Sequence, residues 1–324
     1  MGLEKTLRRM GYYAHGYARY YLPDFLWRMP LRKWERNLTP EQRNALESRV
    51  EYYCRLPEGS DVAGPDTILT EAFRMPDPDP AKGTRHSGYF FDLYPYIRQS
   101  KPGLFFRWLP GDIYYELDRP TLVKSRPVSE GPTDNVICRL NSLRHFNFVA
   151  DRLDFSEKRD IPVSRNAIGG RPWREELLRL YIDNPHADFG ATDCASFKPE
   201  YLRPFLSIEQ QLHHKFIMTL QGNDVATNLK WVMSSNSIAV MPRPTVESWY
   251  MEGKLLPNVH YIEISPDYSD LFERLEYFLA HPAEAREIIE NAHQWVNQFR
   301  NPKIESLAMA GVLDRYFRQT GQIK

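Results

Sequence analysis

An α/β fold in two domains is what this sequence predicts, and three observations predict it. The chain has 324 residues, beyond the size at which a single hydrophobic core usually stops growing. From Asp160 onward, short apolar runs alternate with helical patterns, as in βαβ units built around a parallel sheet. Earlier in the chain the strand candidates are short, and each is bounded by Gly, Pro or Asp. With 42% hydrophobic and 13% aromatic residues, the composition lies far from the signature of disorder, so the chain is expected to fold.

The first 37 residues form a basic, aromatic arm, with Arg8, Arg9, Arg28, Arg32, Lys33 and Arg36 set among Tyr12, Tyr13, Tyr20, Tyr21, Phe25, Trp27 and Trp34. Two readings stand open for it: a segment seated on an anionic membrane surface, or a helical arm packed on its own domain. Leu38 to Tyr53 reads as a helix, capped by Thr39, with Pro40 and Glu41 in its first turn. Met75 to Lys82, MPDPDPAK, continues neither a helix nor a central strand. Strands are expected at Phe105 to Trp108, Leu122 to Lys124 and Val136 to Leu140.

Further strands are expected at Ile161 to Ser164, Phe216 to Gln221, Ile238 to Met241 and Val259 to Ile264, with helices at Trp173 to Ile182 and Ala226 to Met233. Ligands of such a sheet bind at the carboxyl ends of the strands. Asp267 to Leu279, Pro282 to Phe299 and Ile304 to Phe317 read as three closing helices.

The totals also exclude function classes. The 42 basic and 42 acidic side chains cancel, so no global field draws the chain to nucleic acid, and any attraction must be local. Cys54, Cys138 and Cys194 are odd in number and in no CxxC arrangement, which argues against a disulfide framework and a thiolate zinc site. No stretch reaches the roughly 18 to 20 apolar residues that span a bilayer, and the first residues lack a signal-peptide core. A cytoplasmic protein, at most peripheral on the inner face of the membrane, is the expectation.

Two patterns that mimic metal sites read otherwise. Asp77-Pro78-Asp79 spells DxD, but flanking prolines make it a solvated loop. His213 and His214 are adjacent, so on a helix they point roughly 100° apart and do not share a metal. No metal and no cofactor are expected.

The most informative stretch runs from Lys215 to Ile264 and reads strand, glycine turn, helix, strand, loop, helix, strand. Gly222 ends an apolar strand, and Asn223 with Asp224 is placed to start a helix whose N–H groups face a phosphate. On its own this reads more readily as an ordinary tight turn. The stretch also resembles glycosyltransferase family 90, in which a strand ends in Gly, a helix carries Lys, and a later Glu opens another helix before a His-Tyr strand. Here those positions are Gly222, Lys230, Glu247, and His260 with Tyr261, followed by Asp267, Ser269, Asp270 and Leu271. GNDVATNLKW, SSNS and ESWYMEG resemble the bacterial lipopolysaccharide group of that family. The likeness extends upstream through GYFFDLY, the PGD ending at Asp112, VKSRPV and RLNSLRHFNFV. The chain departs from eukaryotic relatives at Asn228, where they carry Arg, and at Arg165-Asn166, where they carry Arg-Gly.

The resemblance implies a GT-B architecture, two Rossmann-like domains facing a cleft. It divides the chain into the arm 1–37, an acceptor-side domain 38–158, a UDP-sugar-binding domain 159–290 and returning helices 291–324. It implies inversion without a metal, with a hexose, glucose or galactose, moved from a UDP-sugar to a lipopolysaccharide or lipooligosaccharide core or a related surface glycan. Asp112 is then the base, although Gly111-Asp112 by itself reads as a turn. Arg165, Gly222, Asn223, Asp224, Asn228 and Lys230 are expected at the donor. Glu247 is expected at the ribose, against helix capping as the plain alternative. Arg144 and His145 are acceptor-side candidates, with a buried structural His as the alternative. A different class of reading, a nucleotide-sugar-binding or membrane-surface protein without catalysis, is motivated by Asn228 and Asn166.

Overall fold

The computed structural model describes residues 3–78, 85–193 and 198–324. In chain order the elements are α1 (Leu3–Tyr21), α2 (Leu31–Arg36), α3 (Pro40–Tyr53), β1 (Ile68–Leu69), α4 (Ser87–Ile97), β2 (Phe105–Phe106), β3 (Thr121–Val123), β4 (Ser125–Pro127), β5 (Asn135–Ile137) and α5 (Ser142–His145). There follow β6 (Val163–Asn166), α6 (Pro172–Tyr181), β7 (Asp188–Ala191), α7 (Ile208–Gln211), β8 (Phe216–Met218), α8 (Leu229–Met233), β9 (Ile238–Met241), β10 (Val246–Ser248), β11 (Ile262–Glu263), α9 (Leu271–Ala280), α10 (Pro282–Asn297) and α11 (Pro302–Gln319). Met75 to Pro78 are neither helix nor strand, while Asp79 and Cys194 lie outside the described residues.

The chain divides into two units, the first made of residues 1–145, 246–250 and 299–324, the second of 146–245 and 251–298. In the first, α3 starts as its sequence dictates: Thr39 and Gln42 form a reciprocal capping box and Pro40 occupies the first turn. The last helix, α11, is capped by Asn301, begins with Pro302, and packs along α3. Three two-stranded pairings complete this unit: β1 with β2, β3 parallel to β5, and β4 antiparallel to β10. Phe73, Phe90 and Phe106 are buried together, Phe73 meeting both rings.

The second unit is built on a five-stranded parallel sheet in the order β11-β9-β8-β6-β7. Its central strands β8 and β9 are buried along their whole length, which is why their sequences are unbroken apolar runs rather than alternating ones. Tyr268, Leu271, Leu275 and Phe278 belong to the core under this sheet. The chain lays down β6 and then β7 on one side, and next places β8 on the other side of β6. The order therefore reverses between β6 and β8, and at such a reversal the connections leave the carboxyl ends of neighbouring strands toward opposite faces of the sheet, the place where ligands of such sheets bind.

Three expectations change on contact with the structure. The helix expected at Ala226 begins only at Leu229, so Asn223 and Asp224 do not open it. Asn228 precedes it and donates its side-chain amide to the Met218 carbonyl at 3.0 Å, holding the loop to the end of β8. The helix expected from Glu247 is instead strand β10, with Glu247 directly opposite Arg126 of β4. A cross-strand pair of opposite charges, 121 positions apart, supports that conformation, and local propensity has no access to it. The strand β7, DFGA, was not expected, since it is short and carries Gly190.

Candidate functional site

In the second unit the loops after β6 and β8 meet at the reversal. The β6 loop contains Gly169 and Gly170, both with left-handed φ of 46° and 72°, which bring the chain round into α6. Arg171 and Arg174 follow immediately. The Arg174 guanidinium donates to the carbonyls of Ala167, Leu220 and Gln221 at 2.8 to 3.0 Å, clamping the two loops together. Arg171 donates to Asn223 Oδ1 at 2.8 Å, and its buried Nε has no hydrogen-bond partner among the described residues. Trp173 is partly exposed and donates its indole N–H to the Gln221 carbonyl. The result is a cluster of guanidinium charge and loop backbone at the strand ends, a setting suited to an anionic ligand.

Gly222 sits within it without any internal need to be glycine. Its φ is not left-handed. A Cβ there would meet Val225 O at 3.5 Å and Arg174 Nη2 at 3.6 Å, which is ordinary contact. Of the residues expected at a donor, Gly222 and Asn223 therefore come together with Arg171 and Arg174. Asp224 is buried just beyond them.

Arg165 and Lys230 are committed within the fold. Arg165 donates to the carbonyls of Pro204, Ser164 and Asp188 and to the Asp188 carboxylate at 2.6 Å, tying β6 to β7. Lys230 is fully buried and ion-paired to Glu252. Sequence reasoning passed over Arg171, Trp173 and Arg174. The signal that could have found them was a glycine pair after a strand, followed by two arginines in the first turn of a helix.

In the first unit, Gly111 has a φ of 123°, a backbone setting that L side chains rarely adopt, and it delivers Asp112 into the next turn. Lys124 Nζ lies 2.6 Å from Asp112 Oδ1, and the side chains are 2% and 27% exposed. His145 is buried with its Nε2 3.5 Å from the same ammonium, and the Tyr89 ring lies 5.8 Å from it. The Ile113 N–H donates to the buried Ser125 hydroxyl, fixing the far side of the turn. Asp112 and His145 are thus gathered around one lysine, while Arg144 is exposed. This cluster is a carboxylate that reaches solvent, held in place by a buried cation.

Glu247 also belongs to the first unit. Arg126 Nε donates to it at 2.8 Å with both side chains fully buried, Tyr52 donates its hydroxyl, and Arg55 lies 3.7 Å away. Burial first, and then the Glu247 charge, raises the Tyr52 phenol well above its usual range, so it stays a neutral donor. Arg126 also donates to the backbone carbonyls of Tyr52, Tyr53 and Asn135, so one guanidinium joins α3, β5 and β10.

Among the described residues no group of three His, Cys, Asp or Glu side chains could hold a metal ion. His214 is buried with Nδ1 2.7 Å from the Ile161 carbonyl, while His213 is exposed. No helix among the described residues is long and apolar enough to cross a membrane.

Compared with known proteins, residues 143–318 match the family model for glycosyl transferase family 90. Over 281 residues, 86% of this chain and 84% of the other, the chain is 36% identical to O-glucosyltransferase LpsA of Dichelobacter nodosus. It is 38% identical over 92 residues to uncharacterized protein 035R of Invertebrate iridescent virus 3, which is 28% of this chain and 8% of that protein. The family match takes in the strand-end loops of the second unit, and Asp112 lies ahead of it.

Proposed function

The chain belongs to glycosyl transferase family 90, and on that premise we propose that it moves a hexose from a UDP-sugar to a lipopolysaccharide or lipooligosaccharide core, with inversion and without a metal. The observation that carries this reading is the meeting of the loops at the β6/β8 reversal, where Arg171, Asn223 and Gly222 come together at strand ends suited to a diphosphate. The name of the Dichelobacter relative favours glucose as the sugar and a hydroxyl as the acceptor. In this reading the two units are the two domains of a GT-B enzyme, the second taking the donor and the first the acceptor. The buried free thiols Cys54 and Cys138 fit a reducing, cytoplasmic setting.

The chemistry follows from the proposed roles. An acceptor oxygen forms a bond to the anomeric carbon from the face opposite UDP, while the bond from that carbon to the β-phosphate oxygen breaks. The electron pair leaves with UDP, and the acceptor proton passes to Asp112. Arg171 and the N–H groups of the Gly222 loop stabilise the charge that develops on the diphosphate. Lys230, Arg165 and Asn228 act behind this contact, holding the loops from which the donor is bound. Glu247 holds β10 in place rather than binding ribose.

The test is UDP release by the purified protein, offered UDP-glucose, UDP-galactose and UDP-N-acetylglucosamine in turn with a core oligosaccharide acceptor. Release with one hexose donor, undiminished by EDTA, is expected. Activity that returns only with added manganese would overturn the metal-independent step, and absence of UDP-sugar binding would overturn the whole reading.

A further inference from the structure

The arm at the start of the chain carries a surface that the transfer reaction does not use. One face of α1 is occupied: Tyr12 donates to the Gly88 carbonyl and to Asp92 at 2.8 and 2.9 Å, and Tyr20 packs edge-on against Phe90 and Tyr94. Gly16 lies so close to Phe91 that an added Cβ would come within 2.6 Å of the ring. Burial and the adjacent Asp92 charge raise the Tyr12 phenol far above its ordinary value, so this anchor stays a neutral donor.

The other face is largely exposed, with Tyr17 at its margin also meeting the Phe91 ring edge-on. Leu7, Met10, Ala14, Tyr17 and Tyr21 recur at intervals of three and four residues, and at 100° per residue they share an arc of roughly 80°. All five are exposed. The stripe runs on into a 3₁₀ turn at Asp24–Leu26, where Leu22, Phe25 and Leu26 also stand exposed, Phe25 by 77%. A soluble surface seldom leaves so many large apolar side chains in a row without a partner.

Charge identifies that partner. Residues 1–37 hold eight basic and three acidic side chains, a net of five positive charges on a chain whose total is zero. Two of the acids are already paired, Asp24 with Arg98 and Glu35 with Arg43. Arg28, Arg32, Lys33 and Arg36 are all exposed beyond the apolar tip. A second copy of the chain meeting this stripe would bring two cationic arms together, whereas an anionic bilayer offers apolar depth beneath a layer of phosphates. Tyrosines and arginines are also the side chains that bridge those two layers.

We propose that α1 and the turn after it form a docking surface for an anionic lipid bilayer. Leu7, Met10, Tyr21, Leu22, Phe25 and Leu26 enter the headgroup layer, and the basic residues that follow meet lipid phosphates. The amphipathic face lies in the plane of the interface and nothing spans the membrane. Such seating would hold the enzyme where lipid-linked acceptors are displayed, yet the docking stands whichever sugar is transferred.

Flotation of the full-length protein with vesicles tests it, comparing neutral phosphatidylcholine with phosphatidylcholine mixed with phosphatidylglycerol. Binding to the anionic vesicles alone, weakened by salt, is expected. The double variant Leu22→Glu/Phe25→Glu should abolish flotation, and Arg32→Glu/Lys33→Glu should weaken it by at least roughly tenfold. Both pairs are exposed, and an unchanged melting temperature confirms that the fold survives. Equal binding to neutral and anionic vesicles, no binding to either, or undiminished flotation of the Leu22/Phe25 variant would overturn the proposal. So would a dimer in lipid-free solution that Met10→Glu converts to monomer, because a second copy would then own the stripe. UDP-sugar turnover with a soluble acceptor, measured alongside, separates failure of docking from failure of the enzymatic reading.

Discussion

Lys124 and Lys230 are both buried lysines paired with a carboxylate, one in each unit, and the difference lies in the acid. Asp112 is 27% exposed beside Lys124, while Glu252 is 2% exposed beside Lys230. A carboxylate that water reaches can also be reached by an acceptor hydroxyl, and the lysine behind it fixes its direction. A carboxylate sealed in with its lysine is closed to water, and the proposed role of that pair is in the fold. In the proposed function a lysine–carboxylate pair therefore serves chemistry in one unit and architecture in the other, and exposure of the acid, not the presence of the pair, is what separates them.

The sharpest way to break this comparison is Asp112→Asn. The amide keeps the shape and leaves Lys124 an oxygen to donate to, so UDP affinity should stay as in the wild type. The rate of transfer should fall roughly 10²- to 10⁴-fold, the usual cost of losing a general base. Turnover within a few-fold of the wild type would return Asp112 to an ordinary turn residue.

Glu252→Gln should do the opposite. It leaves the Lys230 ammonium buried without its counter-charge, and breaking a fully buried pair typically costs about 3 to 5 kcal/mol. A melting temperature lower by several degrees is expected, with the catalytic rate of the still-folded protein near the wild-type value. If the rate collapsed while the melting temperature held, Lys230 would be a donor contact and the contrast between the two pairs would fail.

What the sequence made legible follows how locally each feature is determined. The cap at Thr39, the first-turn Pro40 of α3 and the apolar run of β9 each depend on a few neighbouring residues, and all were readable. Helix α4 was not, because its start at His86 is left-handed, Pro95 lies inside it, and apolar side chains surround it too evenly to leave a periodic face. The strand at Glu247 was missed for a different reason, since Arg126 lies far away along the chain. Among the candidate site residues, Gly222 and Asp112 were singled out by the family resemblance, since on residue type alone both read as turns. That Lys230 is sealed in, and that Arg171 donates to Asn223 beside Gly222, depends on the strand order and on side-chain directions, which spacing does not encode.

Gly222→Ala carries the smallest expected effect and sharpens the comparison at the donor loop. Glycine is usually retained for a left-handed backbone or for lack of room, and neither applies here: φ is ordinary, and the added methyl would sit 3.5 Å from Val225 O. On stability alone alanine should therefore be neutral, or slightly favourable, because it restricts the unfolded chain. What alanine removes is close approach of a ligand to the loop backbone. If a diphosphate rests on that backbone, the methyl pushes it outward, and UDP affinity measured by calorimetry should weaken roughly tenfold, equivalent to about 1.4 kcal/mol. The melting temperature of the free protein should not fall. Unchanged UDP affinity would mean that the diphosphate is held elsewhere, and a lower melting temperature would mean that the glycine serves the fold after all.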